Sequence, residues 1–209
     1  MKPLRGTLVS DGSSDQMLFP ILRWLLQKRG FFAVELSRPN LGLLPKPPKS
    51  LIERIQAAIV QSPCDVVFIH RDAEALGFEV RVREIERDLQ GGNFMVPYVR
   101  IVPVRMSEAW LLIEESAIRK VAQKPHGRTP LTMPSLSQLE SLPDPKRTLL
   151  ELLMTASECK GRRLDQLKSE ARSRVHQLAE FISDFSPLRN LSAFRELEAE
   201  LGQTLSGFE

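Results

Sequence analysis

The chain has 209 residues, of which 42% are hydrophobic and 26% charged, the balance of a globular protein with a sizeable core. Its formal net charge of +3 permits an anionic partner without demanding one. Cys64 and Cys159 stand far apart, which excludes a disulfide framework and a thiolate zinc site and gives a reducing, cytoplasmic location as the expectation. The opening "MKPLRGTLVSDG" lacks an apolar core of signal-peptide length. The longest apolar stretch, "MLFPILRWLL", is interrupted by Pro20 and Arg23, so no membrane partner is expected.

In chain order, "GTLVSDGSSDQMLFPILRWLLQKRG" reads as strand, tight turn and helix, with Leu18, Ile21, Leu22, Leu25 and Leu26 at helical spacing. Pro20 falls in the first two turns of that helix, where a missing N–H costs least. "FFAVELSR" predicts a second strand, "PNLGLLPKPPKS" a loop, and "LIERIQAAIV" a helix entered from Ser50. "CDVVFIH" predicts a third strand, followed by a polar helix over about 80–90. "MVPYVRIVPV" predicts a fourth strand, and "SEAWLLIEESAIRKVA" a helix that begins with an acid. Strands alternating with helices predict an α/β fold with a mostly parallel sheet sandwiched by helices over residues 1–124. Residues 125–147 are rich in Pro and Ser and read as an ordered loop or flap. Residues 148–209 read as a helical C-terminal extension packed on the same core.

The candidate chemistry lies just past the predicted strand ends, where sites form in parallel sheets. Asp11, Asp72 and Glu108 each occupy such a position, and Asp72 and Glu74 would share one side of an extended chain end. Two carboxylates so close repel unless a proton, an arginine or a metal lies between them. Each acid also has an ordinary role open to it: Asp11 in a turn, Asp15 at a helix start, and Glu108 in a first turn capped by Ser107. Together, with scarcely a His or Cys nearby, they form an oxygen donor set suited to Mg²⁺ or Mn²⁺. Gly12, Ser13 and Ser14 open a helix and offer backbone N–H groups to a phosphate. His70 reads as a structural residue at the sheet end. Arg71 either offsets the local negative charge or binds a phosphate, and Arg105 presents the same choice. The run "ECKGRRLDQLKSEARSR" is either a solvated helix face or a phosphate track through Lys160, Arg162 and Arg163. Aromatic content of 6% offers few base-stacking platforms, so sequence specificity is not expected there.

The motifs "LVSDGSSD", "VVFIHRDAE" and "VPVRMSEAWLL", with "GRRL" and "FSPLRNLSAF" later in the chain, resemble a bacterial family with an HRDAE signature assigned to a Toprim-like superfamily. Toprim domains are nucleotidyl-transferase/hydrolase folds found in topoisomerases, primases and the nucleases linked to ATP-binding-cassette ATPases in phage defence. The resemblance implies Mg²⁺- or Mn²⁺-dependent phosphodiester chemistry on DNA or RNA. It assigns catalysis to Asp11, Asp72, Glu74 and Glu108, and metal binding to Asp11, Asp15, Asp72 and Glu74. It also leaves room for a non-catalytic subunit that binds a partner ATPase encoded nearby. The chain departs from the pattern in having Asp11 where Glu is usual and Asp72-x-Glu74 where Asp-x-Asp is usual. The absence of GxxxxGK[ST] assigns any ATP dependence to a second protein. A haloacid-dehalogenase phosphatase is disfavoured by the lack of Asp-x-Asp after the first strand, and a receiver domain by Glu74 beside Asp72.

Overall fold

A computed structural model of the chain describes residues 2–208, with the side chains of Ser13, Ser14, Ala171 and Arg172 outside that description. Four strands, β1 (Leu4–Ser10), β2 (Val34–Ser37), β3 (Val66–His70) and β4 (Tyr98–Ile101), form one all-parallel sheet in the order β2-β1-β3-β4. The fold is α/β, with helices on both faces. Side chains alternate across the strands, so β1, β3 and β4 feed two cores, while β2 packs on the larger one alone. Leu8, Phe68, Val99 and Ile101 enter the larger core with helix α1 (Leu18–Lys28). Val9, Val67 and Ile69 enter the smaller one with α2 (Leu51–Gln61) and α3 (Phe78–Asp88).

Local chemistry explains the boundaries. Pro20 sits in the first turn of α1, where its missing N–H has no intrahelical acceptor to serve. Ser50 and Glu53 close a reciprocal capping box on α2, with Glu53 N–H donating to Ser50 Oγ at 3.2 Å and Ser50 N–H donating to Glu53 Oε2 at 3.0 Å. The fourth strand is shorter than its apolar run because Pro97 and Pro103 bracket it and neither has an N–H for the ladder.

The predicted helix over "SEAWLLIEESAIRKVA" is in fact two pieces. A buried 3-10 turn over Ser107–Leu111 precedes helix α4 (Glu115–Val121). The segment 125–147 contains a further 3-10 turn at Leu136–Ser141, whose Leu139 is fully buried. Helices α5 (Pro145–Ser157), α6 (Arg162–Phe181) and α7 (Ser192–Leu205) contribute Leu149, Leu153, Leu178, Phe194 and Leu201 to the larger core. Glu140 accepts from Ala193 N–H at 3.0 Å and so caps α7 from the preceding segment. Glu200 of α7 accepts from both the backbone N–H of Arg100, at 3.0 Å, and its guanidinium, at 3.1 Å. That contact occupies a donor on edge strand β4 which would otherwise be open to another chain.

Gly6 of β1 lies under the Phe68 ring, with no room for a side chain. A Cβ there would meet the Phe68 ring at 2.6 Å and a Leu36 methyl at 2.8 Å, and Phe68 is wholly buried. Gly6→Ala should therefore lower stability by about 1–3 kcal/mol. In urea unfolding this is read as a lower midpoint with an unchanged slope.

Candidate active site

The register that aligns Ser10, His70 and Ile101 brings the ends of β1, β3 and β4 to one edge. His70 is buried there, and its Nδ1 lies 3.0 Å from the Ile101 carbonyl. A carbonyl only accepts, so Nδ1 carries the hydrogen and Nε2 faces the acids. Nε2 is 3.6 Å from Asp72 Oδ1 and 3.9 Å from Asp15 Oδ1, distances of electrostatic contact rather than hydrogen bonding.

Beyond His70 the chain continues beside the segment after β4. Arg71 N–H donates to Ile101 O at 3.2 Å, Ala73 N–H to Pro103 O at 3.0 Å, and Glu74 N–H to Arg105 O at 2.9 Å. Glu74 then adopts a left-handed φ of 51° and the chain turns. The period-two argument for pairing Asp72 with Glu74 thus ends at buried Ala73, although both acids border the same cavity.

Asp72 Oδ1 accepts from Ser107 N–H at 2.9 Å. Ser107 is therefore not the cap expected of it. It is the first residue of its turn, Met106 stands at the cap position without a side-chain bond, and Asp72 supplies the acceptor from another element. Burial raises the Asp72 carboxyl from its ordinary 3.8 to about 6. The neighbouring Glu108 and Asp15 charges push it the same way, while His70 and the Ser107 N–H oppose the rise.

Asp11, Gly12, Asp15, His70, Arg71, Asp72, Glu74 and Arg81 line one cavity of about 230 Å³ at this edge. Asp15 closes back onto the turn, accepting from Gly12 N–H at 2.9 Å. Asp11 stands at the rim, its exposed carboxylate paired with Arg54. Glu108 is buried behind Asp72 and outside the cavity lining.

No family model, curated protein or solved structure matches this chain significantly. The Toprim likeness therefore rests on the motif residues alone.

The positive charges divide sharply. Arg71 is held by Glu84 at 3.0 Å and Asp88 at 2.7 Å, both on α3, so its charge is already opposed. Arg81, which gave no signal in the sequence, donates to the Asp72 carbonyl at 2.9 Å and pairs with Glu84 at 2.7 Å. Arg105 is half-buried and borders the strand extension through its carbonyl. Lys160, Arg162 and Arg163 are exposed at the start of α6, and none lines the cavity. Arg174 is a structural tie, bonded to Glu170 and to the Val121 carbonyl at 2.7 Å each. The side chains of Ser13, Ser14 and Arg172 lie outside the described residues, so the phosphate contacts assigned to the two serines are not described either.

The crowded hard-oxygen donors suit a divalent cation in kind. They are not closed around one: among the described residues, no group of three or more His, Cys, Asp or Glu side chains is arranged to hold a metal ion. Asp11 in particular faces Arg54.

Because native Asp72 holds its proton more tightly than the unfolded chain, its effect is to reduce stability as pH rises from about 3.8 through about 6. Asp72→Asn keeps an acceptor for Ser107 N–H and removes this penalty. The variant should be more stable than the parent at pH 8, by about 1–3 kcal/mol. Below pH 4 the advantage should vanish, and paired denaturant titrations at the two pH values check both halves.

Proposed function

We propose that the chain is a Toprim-like, Mg²⁺- or Mn²⁺-dependent phosphodiester hydrolase that acts on nucleic acid in the cytoplasm. The observation that carries this reading is the meeting of Asp11, Asp15, Asp72 and Glu74 around one cavity at the carboxyl edge of a parallel sheet. The residues available to hold the cation are Asp72 and Asp15, with Glu74 and Asp11 at the mouth and Glu108 behind.

A divalent cation held by these carboxylates would supply Lewis-acid activation of a phosphate and of the attacking water. The chain's own residues supply proton handling and alignment. Asp72, whose carboxyl titrates near 6 without a cation, gives up its proton as a cation enters. His70, fixed by the Ile101 carbonyl, directs Nε2 at that carboxylate as a proton acceptor. The Ser107 N–H holds Asp72 Oδ1 in place during the exchange. Glu108 keeps the negative field high and favours entry of a cation.

A second reading has its own support in the ion pair between Asp11 and Arg54, which neutralises the acid nearest the first strand. In that reading the domain binds a partner ATPase or a ligand without catalysis.

Plasmid DNA, single-stranded DNA and tRNA incubated with Mg²⁺ or Mn²⁺ separate the two. Hydrolysis of at least one substrate is expected. Asp72→Asn and Glu108→Gln should reduce it by roughly 100-fold or more while remaining folded. No cleavage under any condition, or cleavage by both variants equal to that of the parent, would leave the non-catalytic reading in its place.

A further inference from the structure

A second cavity, of about 250 Å³, adjoins the acidic one and shares Asp11 with it. Its character is opposite. Arg38 and Arg54 lie in its wall with Ser10, Asn40 and Pro47, so that two guanidinium groups face one carboxylate. Arg38 directly follows β2, at the same sheet edge as the acids. Its Nε donates to Ser10 Oγ at 3.1 Å, and among the described residues no acceptor engages its terminal nitrogens. Arg54 projects from α2, donating to the Ser10 carbonyl at 2.5 Å and to Asp11. Two arginines braced on one strand end form a fork suited to a phosphate.

We propose that Arg38 and Arg54 form an oxyanion subsite that takes a phosphate of the substrate, with Asp11 as the displaceable occupant of Arg54. The Asp11 side chain is 66% exposed, so it can turn away without breaking a buried contact. A phosphate seated on the two arginines releases Asp11 toward the acidic cavity. Anion binding on one side thereby completes the carboxylate set on the other. The identity of the ligand as a substrate phosphate rests on the hydrolase reading; the binding itself does not.

The test is calorimetric titration of the full chain with inorganic phosphate, and with a short single-stranded oligonucleotide, at constant ionic strength. Arg38→Met should weaken binding of one or both probes about ten-fold or more. Arg54→Lys, which keeps the charge and loses the fork, should weaken it less. Asp11→Asn should tighten phosphate binding by about two- to five-fold, because an exposed ion pair no longer competes. Loss confined to the oligonucleotide identifies a backbone phosphate as the ligand, and loss of both identifies any phosphate. Unchanged affinities in Arg38→Met for both probes, or weaker phosphate binding in Asp11→Asn, overturn the subsite. Absence of hydrolysis with these shifts intact would count against the hydrolase reading alone.

Discussion

The site depends on one hydrogen bond, from Ser107 N–H to the Asp72 carboxylate. It joins the end of β3 to the turn that follows β4, and it holds a charge between Glu108 and Asp15 where burial opposes that charge. A carboxylate in such surroundings is costly unless protonated or paired. Here the opposing groups are a backbone donor and His70, whose orientation is set by a carbonyl on β4. The strand register thus fixes the electrostatics.

The surrounding layers hold that register in place. Phe68 crosses over Gly6 in the larger core, and α7 covers β4 through Glu200 and Arg100. The C-terminal helices are therefore part of the support for the acidic edge. Arg174 adds a tie from α6 to the end of α4. Glu158, at the end of α5, gathers the backbone N–H groups of Arg128 and Thr129 at 2.7 and 2.9 Å. These bonds lower its pKa and bind the Pro-rich segment to the helical layer. Within the basic run, Arg174 serves packing while Lys160, Arg162 and Arg163 face solvent.

The parallel sheet was legible in the sequence because β-branched runs such as "DVVFI" alternate with helical spacing. Asp11 and Asp72, just past β1 and β3, were legible for the same reason, whereas Glu108 lies in the separate turn Ser107–Leu111. The split of the segment after β4 was not legible, since "SEAWLL" carries a helical pattern and the bond from Ser107 to Asp72 that anchors its separate turn is long-range. Glu74 was placed by a rule for extended chains that its left-handed backbone does not obey. Arg54 and Arg81 were missed because their partners, Asp11 and the Asp72 carbonyl, are reached only across elements. Arg38 ends the predicted strand "FFAVELSR", and its place just past β2 is visible only in the fold.

The proposed chemistry needs a buried, crowded carboxylate that would exchange its proton for a cation. The direct measurement is the titration of the Asp72 side-chain carboxyl by ¹³C NMR, with and without Mg²⁺. A midpoint near 6 is expected in the metal-free protein, and a lower one with the cation present. A midpoint at the ordinary aspartate value, unmoved by Mg²⁺, would contradict it.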